Sequence, residues 1–355
     1  MKKYERKSNP FTLSFGNKPF EYVSRKNDQE ELIKRIESEP PLSHCFIITG
    51  VRGSGKTVML TSVSKCFAEK DDWIVIGLNP EDDMREALAA KLYTSSGIKH
   101  LFLEKDFSFS FHGLTFSITG KNPVLNIDDL LDKMMKAIAK CGKKVLITID
   151  EATNNKYMKQ FALSFQMLIR EEYPLYVLAT GLFENISAIE NESNMTFLIR
   201  APKTYLTPLN LGAIANSYES TLGLEHSESI ECAKLTKGYA FAFQLLGYLM
   251  FEQSKKSVDA KLLSSYDQYL EEFAYSKIWS TLSQMEKKIV SLFESNSSVA
   301  VSSILEKGNM NKEYFSRYRD RLIKKGIVTS PERGRLSFSL PRFKEFIENV
   351  LTYLD

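Results

Sequence analysis

Phe46-Ile47-Ile48-Thr49 is a short apolar run that ends in Gly50-Val51-Arg52-Gly53-Ser54-Gly55-Lys56-Thr57, and a helical pattern follows at once. Leu60, Val63 and Phe67 fall at i, i+3 and i+7, one face of that helix. Strand, glycine-rich turn and helix in this order form a unit that needs a parallel sheet around it. The octapeptide matches G-x-x-x-x-G-K-[ST] at every fixed position. Glycine lets backbone N–H groups turn inward around an anion without a Cβ clash, and the helix start adds its dipole. Lys56 is the cation that reaches the β- and γ-phosphates, and the Thr57 hydroxyl is a Mg²⁺ ligand. The loop, continued to Val58, predicts a purine nucleoside triphosphate site, with ATP or ADP and Mg²⁺ as its ligands.

The elements around it read as α/β. Trp73 to Leu78 is a second short strand, and a helix is expected from about Pro80 to Tyr93. Phe107 to Phe111 and Leu114 to Ile118 alternate with period two about His112-Gly113, a β-hairpin signal in an insertion at about 97–122. Ile127 to Cys141 is helical, with Gly142 as its cap. Val145-Leu146-Ile147-Thr148-Ile149 is continuously apolar, as in a strand covered on both faces. A helix from Asn155 to Glu172 and strands at Leu175 to Ala179 and Lys203 to Leu206 complete the series. This alternation predicts a three-layer core on a parallel sheet.

Asp150-Glu151 directly follows the buried strand, where ligands of parallel sheets sit. Asp150 is suited to hold Mg²⁺ through water, and Glu151 to polarise an attacking water as general base. Two solvated carboxylates opening a helix are the plainer alternative. Thr180 ends the next strand, placed either to orient the water or to serve as a turn threonine before Gly181.

These residues resemble an AAA+ ATPase: 50–57 look like Walker A, 145–151 like Walker B, and Thr180 like sensor 1. Phe20-Glu21-Tyr22-Val23-Ser24-Arg25 resembles the box that precedes the phosphate loop in the initiator-like and STAND-like branches, where it lies beside adenine. Ser24 stands in place of the usual Gly and Lys26 in place of the usual acidic residue. The resemblance implies nucleotide contacts for Tyr22, Val23 and Arg25. Met195 to Pro202 looks like the segment that carries an arginine finger in that branch, which implies that Arg200 serves a neighbouring subunit of a homo-oligomer. A structural arginine is the alternative. Lys237-Gly238-Tyr239-Ala240-Phe241-Ala242-Phe243-Gln244 resembles the start of the lid helix, with Ala240 in place of Pro and no sensor 2 arginine.

From Leu209 to Phe273 only helical patterns occur. From about Leu282 three helical stretches precede Ile327-Val328-Thr329 and Leu336 to Leu340, which flank Pro331-Glu332-Arg333-Gly334: the order of a winged helix-turn-helix. The expected organisation is a P-loop NTPase core at 1–208, an all-α lid at 209–280 and a winged helix at 281–355. Residues 310–344 hold ten basic and three acidic residues, a net +7 where the whole chain carries +3. Arg317, Arg321 and Lys324 share one helix face and Arg333 and Arg335 lie at the hairpin tip, a pattern that fits duplex DNA. A solvated charged face or a protein contact fits the same residues.

Four scattered cysteines and four scattered histidines form no zinc pattern or disulfide framework, which points to reduced thiols in a cytoplasmic protein. The charged N-terminus lacks an apolar stretch, and no run of about 18 apolar residues predicts a membrane helix. Two functions stand: an ATPase that couples hydrolysis to DNA binding, and a STAND-like switch of slow turnover that acts on a protein partner.

Overall fold

The computed structural model describes residues 8–14, 19–95, 98, 101–102, 109–111, 114–116, 126–192 and 195–352. By compactness the chain divides into two units. One comprises Lys26–Thr49 and Met59–Thr204; the other comprises Met1–Arg25, Gly50–Val58 and Tyr205–Asp355.

The first unit is built on strands β1 (Cys45–Thr49), β2 (Trp73–Leu78), β5 (Lys144–Ile149), β6 (Leu175–Gly181) and β7 (Lys203–Tyr205) in the order β2-β5-β6-β1-β7. The pairs β2/β5, β5/β6 and β6/β1 are parallel. Val145, Leu146, Ile147 and Ile149 are fully buried, which is why β5 is apolar throughout rather than alternating. Helices Met84–Thr94, Ile127–Lys140 and Lys156–Arg170 share its apolar core.

Helix starts follow local chemistry. The helix expected from Pro80 begins at Met84, because Asp83 accepts from the N–H of Arg85 and caps it there. Asn126 and Asn155 cap the next two by accepting from Asp129 and Met158. Gly142, at φ 68°, closes the helix Ile127–Lys140, as expected. Strands β3 (Phe109–Phe111) and β4 (Leu114–Phe116) pair antiparallel, with Phe109 opposite Phe116. The turn expected at His112-Gly113 lies outside the described residues.

In the other unit, helices Leu211–Leu222, His226–Thr236, Ala240–Glu252 and Ala260–Leu270 share one core with the C-terminal elements. A single π-turn, Glu271–Tyr275, leads on to Ser276–Ser280. There follow helix Gln284–Ser291, β8 (Val299–Ala300), helices Val301–Gly308 and Lys312–Lys324, β9 (Val328–Thr329), β10 (Arg335–Phe338) and helix Phe343–Thr352. The strands form a small sheet in the order β8-β10-β9. Its two-residue strand β8 is too short for periodicity to reveal. Among the described residues no helix is long and apolar enough to cross a membrane.

Residues 9–12 strap onto the helix Ala240–Glu252. Phe11 is 1% exposed and its ring occupies the space a Cβ on Gly247 would take, 2.5 Å away. Gln244 holds the strap and the segment that follows it: its Oε1 accepts from Thr12 N (3.0 Å) and its Nε2 donates to Glu21 O (2.7 Å).

Candidate functional site

Sheet topology sets the first condition. Parallel pairing puts Thr49 opposite Gly181 and Ile149 opposite Ala179, so the exits of β1, β6 and β5 lie on one edge with a single strand between the outer two. The glycine-rich loop leaves β1 at this edge, and the Asp150-Glu151 pair leaves β5 there.

At the β5 exit the organiser is Thr180. Its fully buried hydroxyl donates to Asp150 Oδ1 (2.5 Å) and accepts from Glu151 N (3.0 Å), while its carbonyl accepts from Ala152 N (2.8 Å). Glu151 sits at φ 53°, a left-handed conformation uncommon for a side-chain-bearing residue. Such backbone costs on the order of 1–3 kcal/mol and persists where neighbours over-determine it. The strand β6 runs to Gly181, one residue beyond the end expected at Thr180, and so holds Thr180 in the ladder. Gly181 allows this closeness, since a Cβ there would lie 2.6 Å from Ile186. The side chain of Asp150 is half-buried and that of Glu151 is exposed.

Thr180→Val tests this anchor. It keeps the shape but removes both hydrogen bonds. Loss of these two hydrogen bonds, which leaves the Glu151 N–H without its acceptor, should cost about 1–3 kcal/mol of stability. Thermal unfolding measures it; a melting point equal to wild type would show that the hydroxyl holds nothing.

In the loop, Gly53 and Gly55 adopt φ 76° and 95°, as only glycine does readily. Left-handed residues in such a turn let neighbouring N–H groups converge on an anion. Lys56 Nζ donates to the carbonyls of Gly50 and Val51, 3.1 Å each, so its ammonium lies over the loop's own entry. Ser54 Oγ is buried and has no hydrogen-bond partner among the described residues. A buried orphan hydroxyl, an ammonium and left-handed glycines are the donor set a polyphosphate takes, so the residues fit that ligand. Thr57 lies in the first turn of the helix that follows the loop and is half-buried. Val58 continues the helix, half-buried.

The box before the loop takes part through Arg25, which donates to Thr207 O and, at 3.1 Å, to Ser54 O. Tyr22 is 37% exposed, and Val23 packs against the core of its unit. Two residues that the motif reading passed over as a mere helix start lie on the loop. Tyr239 donates its hydroxyl to Arg52 O (2.6 Å), and Phe241 N donates to Gly53 O (3.0 Å). A Cβ on Gly53 would meet Tyr239 Oη at 2.4 Å, whereas one on Gly55 would meet only Ala240, at 3.8 Å. The signal was Gly238: at φ 72° its missing Cβ lies 2.5 Å from Leu209 O. Arg200 follows the short helix Thr196–Ile199 and is exposed.

The basic C-terminal face is smaller than its composition. Arg317, Arg321, Lys324 and Arg333 are exposed. Arg335 is turned inward: its Nε donates to Ser298 Oγ (2.5 Å) and its Nη2 to Ser298 O (2.6 Å). Arg321 lies 3.5 Å from Glu286, a buried carboxylate that also takes Lys325 at 2.9 Å. Arg342 and Lys344 pair with Asp267 and Glu348.

The family described as "Domain of unknown function (DUF8462)" matches residues 273–347. No curated protein matches the chain. Among solved structures, the Walker-type ATPase paby2304 of Pyrococcus abyssi is 12% identical, with 92% of this chain and 96% of that chain covered at a TM-score of 0.61. The Aeropyrum pernix ORC2 protein, in its ADPNP and ADP complexes, is 14% identical, with 94% and 95% covered at 0.54. At these identities the likeness shows the fold alone: a five-stranded sheet with parallel pairs flanked by helices, shared with these two proteins.

Proposed function

We propose that the chain binds ATP with Mg²⁺, hydrolyses it to ADP and phosphate, and couples the nucleotide state to binding of duplex DNA by residues 281–355, read as a winged helix. The observation that carries this is the pair of strand exits: a glycine loop with its lysine folded over it at one, and a carboxylate turn fixed by Thr180 at the other. Lys56 and the loop amides hold the β- and γ-phosphates. Thr57 and Asp150 hold Mg²⁺, which supplies charge neutralisation at the phosphate oxygens. Glu151 takes a proton from the attacking water; the water oxygen bonds to the γ-phosphorus, and the bond to the β–γ bridging oxygen breaks. Thr180 acts as a positioning residue through the turn it fixes. Tyr22, Val23 and Arg25 border the base, and Arg200 is offered to a neighbouring copy.

For DNA the recognition face is Arg317, Arg321 and Lys324, with Arg333 on the turn between β9 and β10. If these four each neutralise one phosphate, affinity for a labelled duplex should fall about a hundredfold between about 50 and 200 mM salt. Arg333→Ala should lower that slope by about one. Absence of binding at the lower salt would sink the DNA reading.

A second reading is a slow-turnover switch that acts on a protein partner. It is favoured by the inward turn of Arg335 and by Tyr314 and Ile323, exposed apolar residues on the same helix as the basic face. Particle mass with ADP and with a non-hydrolysable analogue separates it; identical behaviour overturns the switch.

A further inference from the structure

The segment 237–241 touches two parts of its unit at once. At its far end Tyr239 and Phe241 hold the phosphate loop by the carbonyls of Arg52 and Gly53. At its near end Lys237 Nζ donates to Asn296 O (2.9 Å) and Phe338 O (3.1 Å), both in the C-terminal module. Between them the backbone is over-determined: Lys237 and Gly238 are both left-handed, at φ 49° and 72°. Gly238 O accepts from Leu209 N (2.8 Å), and Tyr239 N donates to Thr236 O (2.9 Å). Such a turn moves as one piece rather than absorbing a displacement.

The two hydrogen-bond ends differ in what they can sense. Tyr239 is 5% exposed, and its ring fills the space beside Gly53, so a shift of the loop displaces the ring. Lys237 is half-buried, and burial lowers its ammonium's pKa while Glu345 partly offsets this; its contacts are backbone carbonyls, whose loss would leave a desolvated charge. The module also meets the loop directly: Gly326, at φ 74°, has no Cβ where one would lie 3.3 Å from Val51. Loop, turn and module therefore form a continuous packed path.

We propose that Lys237 and Tyr239 form a relay that makes the C-terminal module sense whether the phosphate loop is filled. This rests on the nucleotide reading above. Allostery here is a coupling between two ligand states carried by one rigid turn. Tyr239 is the positioning residue at the loop, and Lys237 carries no contact to it.

Amide hydrogen exchange of the full chain, with and without a non-hydrolysable ATP analogue and Mg²⁺, tests the relay. Nucleotide binding is measured separately by titration of a fluorescent analogue. In the wild type, amides at 294–298 and 335–340 should exchange about tenfold more slowly with nucleotide bound, a usual size of coupling. Lys237→Met should bind the analogue within about twofold of wild type and lose that protection, since only the distant end of the path is cut. Tyr239→Phe, which keeps the ring, should lose about fivefold in nucleotide affinity together with the protection, as expected for one hydrogen bond. A thermal melt confirms that each variant is folded; if Lys237→Met is not, Tyr239→Phe decides. Nucleotide binding without protection in the wild type overturns the relay, as does full protection in the folded Lys237→Met. No binding in the wild type overturns the nucleotide reading itself.

Discussion

Glu151→Gln is expected to keep its affinity for Mg²⁺·ATP and to turn it over about 10²- to 10⁴-fold more slowly, the usual contribution of a positioned base. The geometry makes this a clean substitution. The left-handed backbone of Glu151 is fixed through its N–H to Thr180, not through its carboxylate. Its side chain is exposed, so an amide in place of the acid disturbs no packing. What is lost is the ability to take a proton. Equilibrium binding of a fluorescent analogue and single-turnover release of phosphate separate the two quantities. Turnover within about threefold of wild type would remove Glu151 from the role of base.

Lys56→Ala acts one step earlier. The ammonium bonds the two carbonyls at the start of the loop, and in the proposed function it is the cation that meets the phosphates. Charge-assisted hydrogen bonds contribute about 1.5–3 kcal/mol each, so affinity for the triphosphate should fall by about 10²-fold. The two carbonyls also lose a donor, and some local loosening of residues 50–52 should accompany the loss of binding. The same titration measures it. Affinity close to wild type would mean that the loop holds something other than a polyphosphate. Together the two variants distinguish a failure to bind from a failure to react.

Much of this was legible from the residues. The buried strand at 144–149 and the glycine loop carry signals that do not depend on the rest of the chain: continuous apolar residues, and glycine where a Cβ would strain the backbone. Hence the sheet core and the loop stood out. What stayed hidden depends on partners far away in sequence. Nothing local says that the Thr180 hydroxyl would serve Asp150 and Glu151 at the exit of the neighbouring strand, since a threonine before a glycine reads equally well as a turn. Tyr239 looked like the opening of a helix, and only its contact with Arg52 reveals more. Charge counting misled in the opposite direction. It placed Arg335 on the face offered to DNA and included Arg342 and Lys344 in the net charge of 310–344, whereas each is engaged within the fold. Composition measures charge but not where it points.

The grip of Gln244 on both Thr12 and Glu21 has a consequence for how the chain matures. Thr12 and Glu21 lie 232 and 223 residues upstream of the amide that holds them. On a ribosome they would emerge long before the helix that receives Phe11 exists, and pairing of this range is slow because the closure entropy comes first. Tyr239 and Phe241 are made equally late relative to Arg52 and Gly53. The nascent sheet could therefore be in place while its glycine turn still lacked its final neighbours, so the loop would reach its final form only after residues 239–241 have been made.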